Sequence, residues 1–124
     1  MTNPLAIVVY EHLLLGNQLV NRLRDLGYRV VALTEPTTLV AQAEAEKALL
    51  VLVDLESKTH DLCVVIAQLR ANAATQHVPV LAFCQQKNHQ LADAAHTAGA
   101  TLVSSENAIL SQLPHLLEQA LQIE

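Results

Sequence analysis

Four short apolar runs constrain this chain more than any other feature. They are Leu5–Tyr10 (LAIVVY), Arg29–Leu33 (RVVAL), Leu49–Val53 (LLVLV) and Val78–Phe83 (VPVLAF). The first is unbroken and rich in β-branched residues, so it reads as a strand buried on both faces, the kind found in parallel sheets. The others read as strands too, Leu49–Val53 being the most apolar. Between them the pattern turns helical. Leu13–Leu26 places Leu15, Leu19, Leu23 and Leu26 on one face, with Gly27 as its stop. Thr34-Glu35-Pro36 is a loop with a cap-like Thr and an early Pro, and Leu39–Lys47 is an Ala-rich helix. Leu62–Asn72 carries Leu62, Val65, Ile66 and Leu69 on one face.

The remainder keeps the same rhythm. Gln85–His89 is a polar loop, Leu91–Thr97 a short helix, and Gly99 allows a turn into a short fifth strand, Thr101–Val103. Pro114 divides the last stretch of chain, because proline breaks a helix interior but suits a first turn. A short turn near Glu106–Leu110 and a final helix from about Leu113 to Leu121 are expected. Five β-α units in 124 residues predict one α/β domain over residues 1–124. Its fold class is a flavodoxin-like (βα)5 doubly wound five-stranded parallel sheet, strand order 2-1-3-4-5.

Composition removes several functional classes. Hydrophobic residues make up 52% and charged residues 15%, the opposite of a disordered chain. Apolar runs such as Ala48–Val53 are far short of the ~18–20 residues of a membrane span. Met1-Thr2-Asn3-Pro4 lacks the basic start of a signal peptide. The formal charge is −5 and the basic residues are scattered, so direct DNA or RNA binding is not expected. Cys63 and Cys84 read as reduced thiols of a cytoplasmic protein. No GxGxxG or P-loop is present, and Glu11–Gly16 offers one glycine and an acidic rim after the first strand. Flavin or nucleotide binding is therefore disfavoured. A hydrolase reading fails for want of a GxSxG elbow or a nucleophile–His–acid set.

In open parallel sheets function gathers at the carboxyl ends of the strands. Here those ends are Tyr10-Glu11-His12, Thr34-Glu35, Asp54-Leu55-Glu56, Cys84-Gln85 and Ser104-Ser105. With this set the chain resembles the CheY-like receiver domains of two-component response regulators, over about residues 5–121. The resemblance is carried by the first strand ending in Glu11, by Leu49–Val53 ending in Asp54, and by the helix running into Val78-Pro79-Val80-Leu81. The stretch Ala94-Ala95-His96-Thr97-Ala98-Gly99-Ala100 adds to it, being similar to the family's approach to strand five.

The resemblance implies phosphoryl transfer to an aspartate after strand three, here Asp54. It implies a divalent cation held by an acidic pair after strand one, a hydroxyl after strand four and a lysine after strand five. Positive charge must neutralise what accumulates when a carboxylate attacks a phosphoryl group. The chain keeps only part of this set. The acidic pair is Tyr10-Glu11, which leaves Glu11 and Asp54 as a weak Mg²⁺ site and no other cofactor. The hydroxyl position falls on Cys84. The lysine position falls on Ser104, Ser105 or Glu106, none of them basic. The aromatic of strand five is replaced by Leu102 and Val103, and Ser57 and Lys58 stand where the family has a proline. An atypical receiver, or pseudo-receiver, is the expectation: a signalling interaction module, not an enzyme, with phosphorylation at Asp54 absent or poorly coupled. The alternative is a working Mg²⁺-dependent phospho-acceptor whose enzymology stops at its own phosphorylation.

Blander readings stand beside these. Asp54 could be a turn residue, and Glu11 a loop acid favoured by the dipole of the following helix. Cys84 reads as a small buried hydrophobe more than a reactive thiol, and Cys63 as core. His12, His60 and His89 fall in loops near the rim, yet their spacing matches no compact metal motif. His77, His96 and His115 read as solvent-facing. Ser104-Ser105-Glu106 reads as a helix cap. Leu110, Leu113, Leu116, Leu117 and Leu121 form a stripe that packs on the sheet. The resemblance implies a sensor kinase or downstream effector as partner. It also allows a homodimer through the face of the fourth helix, fifth strand and last helix, or through the first and last helices.

Overall fold

The computed structural model describes residues 4–56 and 61–122. Five strands form one parallel sheet in the order β2-β1-β3-β4-β5. They are β1 (Leu5–Val9), β2 (Arg29–Leu33), β3 (Leu50–Asp54), β4 (Val80–Cys84) and β5 (Leu102–Ser105). The helices are α1 (Leu13–Asp25), α2 (Leu39–Glu46), α3 (Leu62–Ala71), α4 (His89–Ala98), α5 (Glu106–Ser111) and α6 (Leu113–Gln122). The expected fold class and strand order are thus observed. No helix among the described residues is long and apolar enough to cross a membrane.

Strand parity sorts the core into two layers, because successive side chains point to opposite faces. Ile7, Val9, Val51, Val53, Val80 and Ala82 pack with Leu39, Ile66 and Leu69 beneath α2, α3 and α4. Ala6, Val8, Leu50, Leu52, Leu81 and Phe83 pack with Leu19, Leu23, Ile109, Leu113 and Leu117 beneath α1, α5 and α6. β1, β3 and β4 are buried at every position. The leucine stripe lies on the second layer, with Leu110, Leu116 and Leu121 partly buried against it.

Several boundaries differ from the sequence expectation, each for a local reason. Leu49 is 41% exposed and precedes β3, which ends on Asp54. β4 starts at Val80, not Val78, because the Val78 N–H closes a turn onto the Thr75 carbonyl and Pro79 has no N–H to give a ladder. α4 starts earlier than expected because the Asn88 side chain accepts from the Leu91 N–H at 3.3 Å. The turn expected near Glu106 is a helix, capped by Ser105 Oγ accepting from the Ala108 N–H at 3.1 Å. The cap expected at Thr34 is absent. Pro36–Thr38 forms a 3₁₀ turn, and Thr38 Oγ1 donates to the Glu35 carbonyl. Leu26 follows α1 and is 44% exposed, so it does not share that helix's buried face.

One side chain ties two connections together, the α3–β4 loop and the α4–β5 turn. Arg70 Nε donates to the Gly99 carbonyl at 2.8 Å. Its two terminal nitrogens reach the Val78 carbonyl at 2.7 Å, the Gln76 carbonyl at 2.8 Å and Thr101 Oγ1 at 3.1 Å. Thr101 Oγ1 also accepts from the Val80 N–H. Gly99 ends α4 at φ +118°, and a Cβ there would meet the Arg70 side chain. Only glycine fits on both counts. Burial lowers the Arg70 pKa, consistent with a guanidinium held by neutral acceptors. Arg70→Ala is expected to lower stability by roughly 2–3 kcal/mol in urea unfolding, by stranding carbonyls at the start of β4 and β5. Arg70→Lys recovers only part of it, because an ammonium lacks the planar fork.

Candidate functional site

The topological switch lies between β1 and β3, which pair from Ala6↔Leu50 to Val9↔Val53 while β2 continues the sheet on the far side of β1. A cleft opens there, as expected at such a point. It measures about 820 Å³. Four acidic side chains stand on its wall: Glu11 after β1, Glu56 after β3, Asp61 before α3 and Glu106 at the start of α5. His12 and Cys63 also line it, and among the described residues no Lys or Arg does.

Asp54 sits at the end of β3 and is buried. Its Oδ1 accepts the Glu56 N–H at 2.9 Å. Its Oδ2 is buried and has no hydrogen-bond partner among the described residues. Burial is the largest influence on its carboxyl and raises the pKa. The Glu56 N–H opposes this, the Glu106 and Glu56 carboxylates add to it, and His12 lowers it again. Asp54 is thus a poorly satisfied acid facing like charge.

The other expected residues divide. Glu11 lies on the cleft wall, as the strand-end reading requires. Its neighbour Tyr10 turns inward. It is 8% exposed, donates to Asn17 Oδ1 at 3.4 Å, and lies where any side chain at Gly16 would run into its ring. Cys84 is buried in the α3–α4 layer, and its thiol lies 3.8 Å from the Asn88 carbonyl. Burial first, then Glu56, Glu106 and Asp54, raise its pKa, which disfavours a reactive thiolate. Cys63 is half-buried: it packs against the core layer beneath α2, α3 and α4 and also lines the cleft. His77, His96 and His115 are exposed. Of the three rim histidines, His12 lines the cleft, His89 begins α4, and His60 lies outside the described residues, with Ser57 and Lys58. Among the described residues no three His, Cys, Asp or Glu side chains are grouped to hold a metal ion.

Glu56 is legible in the sequence only as part of the end of β3 and Asn88 only as part of a polar loop; the contact between them escapes sequence reasoning. Glu56 Oε2 accepts from the Gln85 N–H at 2.9 Å and from Asn88 Nδ2 at 3.3 Å, across 29 and 32 positions of chain. Nothing local signals the bond between Asn88 and Glu56.

Asp54 carries the prediction of this geometry. A raised pKa in the fold means the protonated form is favoured there. The stability from this group is full below the ordinary carboxylate range and is lost as pH rises through the raised value. Asp54→Asn should therefore raise the thermal midpoint at pH 7, by roughly 1 kcal/mol or a few degrees. The gain should vanish in acid.

No protein-family model matches the chain, and no curated protein matches it in sequence. Solved structures do. A candidate response regulator from Chloroflexus aurantiacus superposes with a TM-score of 0.89 at 17% identity, covering 98% of this chain and 99% of that one. The receiver domain of a sensor histidine kinase from Pseudomonas aeruginosa, solved with a magnesium ion in its active-site cleft, gives 0.87 at 19% identity, covering 98% and 99%. A Vibrio cholerae chemotaxis protein gives 0.85 at 14% identity, covering 96% and 99%. Sheet order, helix placement and these superpositions agree that the chain has the CheY-like fold of response-regulator receiver domains.

Proposed function

We propose that this chain is an atypical receiver domain, a signal-transduction module that binds a protein partner without needing a phosphoryl group on Asp54. The observation that carries this reading is the charge of the cleft. Glu106 follows β5, reaches the cleft wall and bears on Asp54, and it is one of the three positions, with Ser104 and Ser105, on which the resemblance's lysine falls, none of them basic. A phosphoryl group on Asp54 would bring about −2 charge beside Glu11, Glu56 and Glu106. Glu106 has a structural use as well, since a carboxylate in the first turn of α5 is favoured by the helix dipole. Cys84 is a poor substitute for a hydroxyl that would hold a phosphoryl oxygen. Val103 offers no ring to swing between positions. A sensor kinase or downstream effector is the partner class this reading implies. Self-association through the α4–β5–α6 or α1–α6 face is the accompanying option.

A working phospho-acceptor is the second reading, and one observation favours it: the unpartnered buried Oδ2 of Asp54. Glu11 and Asp54 are hard oxygen donors of the kind Mg²⁺ uses, and that ion needs only one or two carboxylates beside its waters. Bound there, Mg²⁺ would supply the positive charge that phosphoryl transfer demands. Asp54 would be the nucleophile, and Glu11 would hold the ion.

Amide NMR during titration with Mg²⁺ and then beryllofluoride, a mimic of aspartyl phosphate, separates the two. The expected result is no movement of Leu102–Ser105 at millimolar Mg²⁺. Shifts at Glu11, Asp54 and Cys84 that spread along β5 would establish the second reading instead. Glu106→Lys is expected to tighten beryllofluoride binding roughly ten-fold or more, by exchanging a repulsive charge for an attractive one.

A further inference from the structure

The Glu56 side chain makes a connection that neither reading of Asp54 uses. Its backbone N–H is bonded to Asp54 Oδ1, while its carboxylate crosses to the loop between β4 and α4. There it accepts from the backbone N–H of Gln85 and the amide of Asn88. Asn88 is the cap of α4, since its Oδ1 accepts from the Leu91 N–H and its carbonyl accepts from the Ala92 N–H. The Asn88 N–H closes the loop onto the Gln85 carbonyl at 2.9 Å. One carboxylate therefore joins the end of β3 to the first turn of a ten-residue helix.

This arrangement works against charge. Glu56 contributes to the raised pKa of Asp54 and of Cys84, so its carboxylate sits close to an already acidic site. Repulsion would send a free side chain outward into water. Charge-assisted bonds from the Gln85 N–H in the β4–α4 loop and from the Asn88 side-chain amide offset that repulsion.

We propose that Glu56 is an internal anion that latches the Gln85–Asn88 loop and the first turn of α4 to the end of β3, so that the surface of α4 is set by the chain itself. The inference rests on the pseudo-receiver reading and deepens it. It names what fixes the partner-facing helix when no phosphoryl group does. Asp54 and α4 become two ends of one hydrogen-bonded path through residue 56.

The test is amide hydrogen exchange by NMR on the whole chain, with no phosphodonor present. In Glu56→Ala the amides of Gln85 and Leu91 are expected to exchange roughly ten-fold faster or more, while those of α3 and α6 stay as in the wild type. Asn88→Asp is the second variant. It keeps the cap of α4 but faces Glu56 with a carboxylate instead of a donor, and the Gln85 amide is expected to open in the same way. Exchange at Gln85 and Leu91 within two-fold of wild type in both variants would overturn the latch. So would an acceleration spread evenly over the whole sheet, which is global destabilisation. Neither result depends on whether Asp54 accepts phosphate, which the beryllofluoride titration decides separately.

Discussion

Everything in this molecule depends on strands that are buried on both faces. β1, β3 and β4 have no solvent side, so each needs a helix layer above and another below. Parallel neighbours cannot be joined by tight turns, so each crossover carries a helix that packs on one layer or the other. The result leaves the carboxyl ends of β1 and β3 as the one place where the chain parts in opposite directions. The cleft is a consequence of that parting, and its position is set by topology before any side chain is considered.

What lines the cleft is a separate matter. Burying an acid at the end of a core strand is costly unless its oxygens find donors or a cation. Asp54 finds one donor, the N–H of Glu56, and meets the charge of the Glu56 and Glu106 carboxylates. Glu106 stands on the same wall as Glu11 and Glu56 and adds to the negative charge that Asp54 meets. Tyr10 turns the other way, into the core. At the end of β1 an aromatic packs on α1, and Gly16 leaves room for its ring. Arg70 performs the matching service at the other end of the sheet, where its guanidinium satisfies the carbonyls that precede β4 and β5. Both residues stabilise the frame, and neither needs chemistry in the cleft to explain it.

Much of this was legible in the residue pattern. Alternation of apolar runs with 3.6-residue periodicity pointed to the element order and the sheet order, because local propensity and burial agree in β1, β3 and α3. Asp54 and Glu11 could be placed at strand ends because these are local features; Glu11 lines the cleft, while Asp54 is buried. The errors fall where a side chain or a missing N–H decides a boundary: Pro79 at β4, Asn88 at α4, Ser105 at α5. Leu26 had the right spacing for the buried face of α1, but the helix ends just before it and its side chain follows the turn at Gly27 into solvent.

The sequence by itself determined the class of fold, the number of units, and the identity of the acid at the end of the third strand, since each depends on neighbours within a few positions. Tertiary structure alone decided what those residues face. That Glu106 bears on Asp54, that Glu56 reaches Gln85 and Asn88, and that Arg70 binds Gly99 and Thr101 all join positions about thirty or more residues apart. Such contacts leave no periodic trace in the chain. They arise only when strands fix the loops at one edge of the sheet, which brings like charges together at one end and a cation among carbonyls at the other.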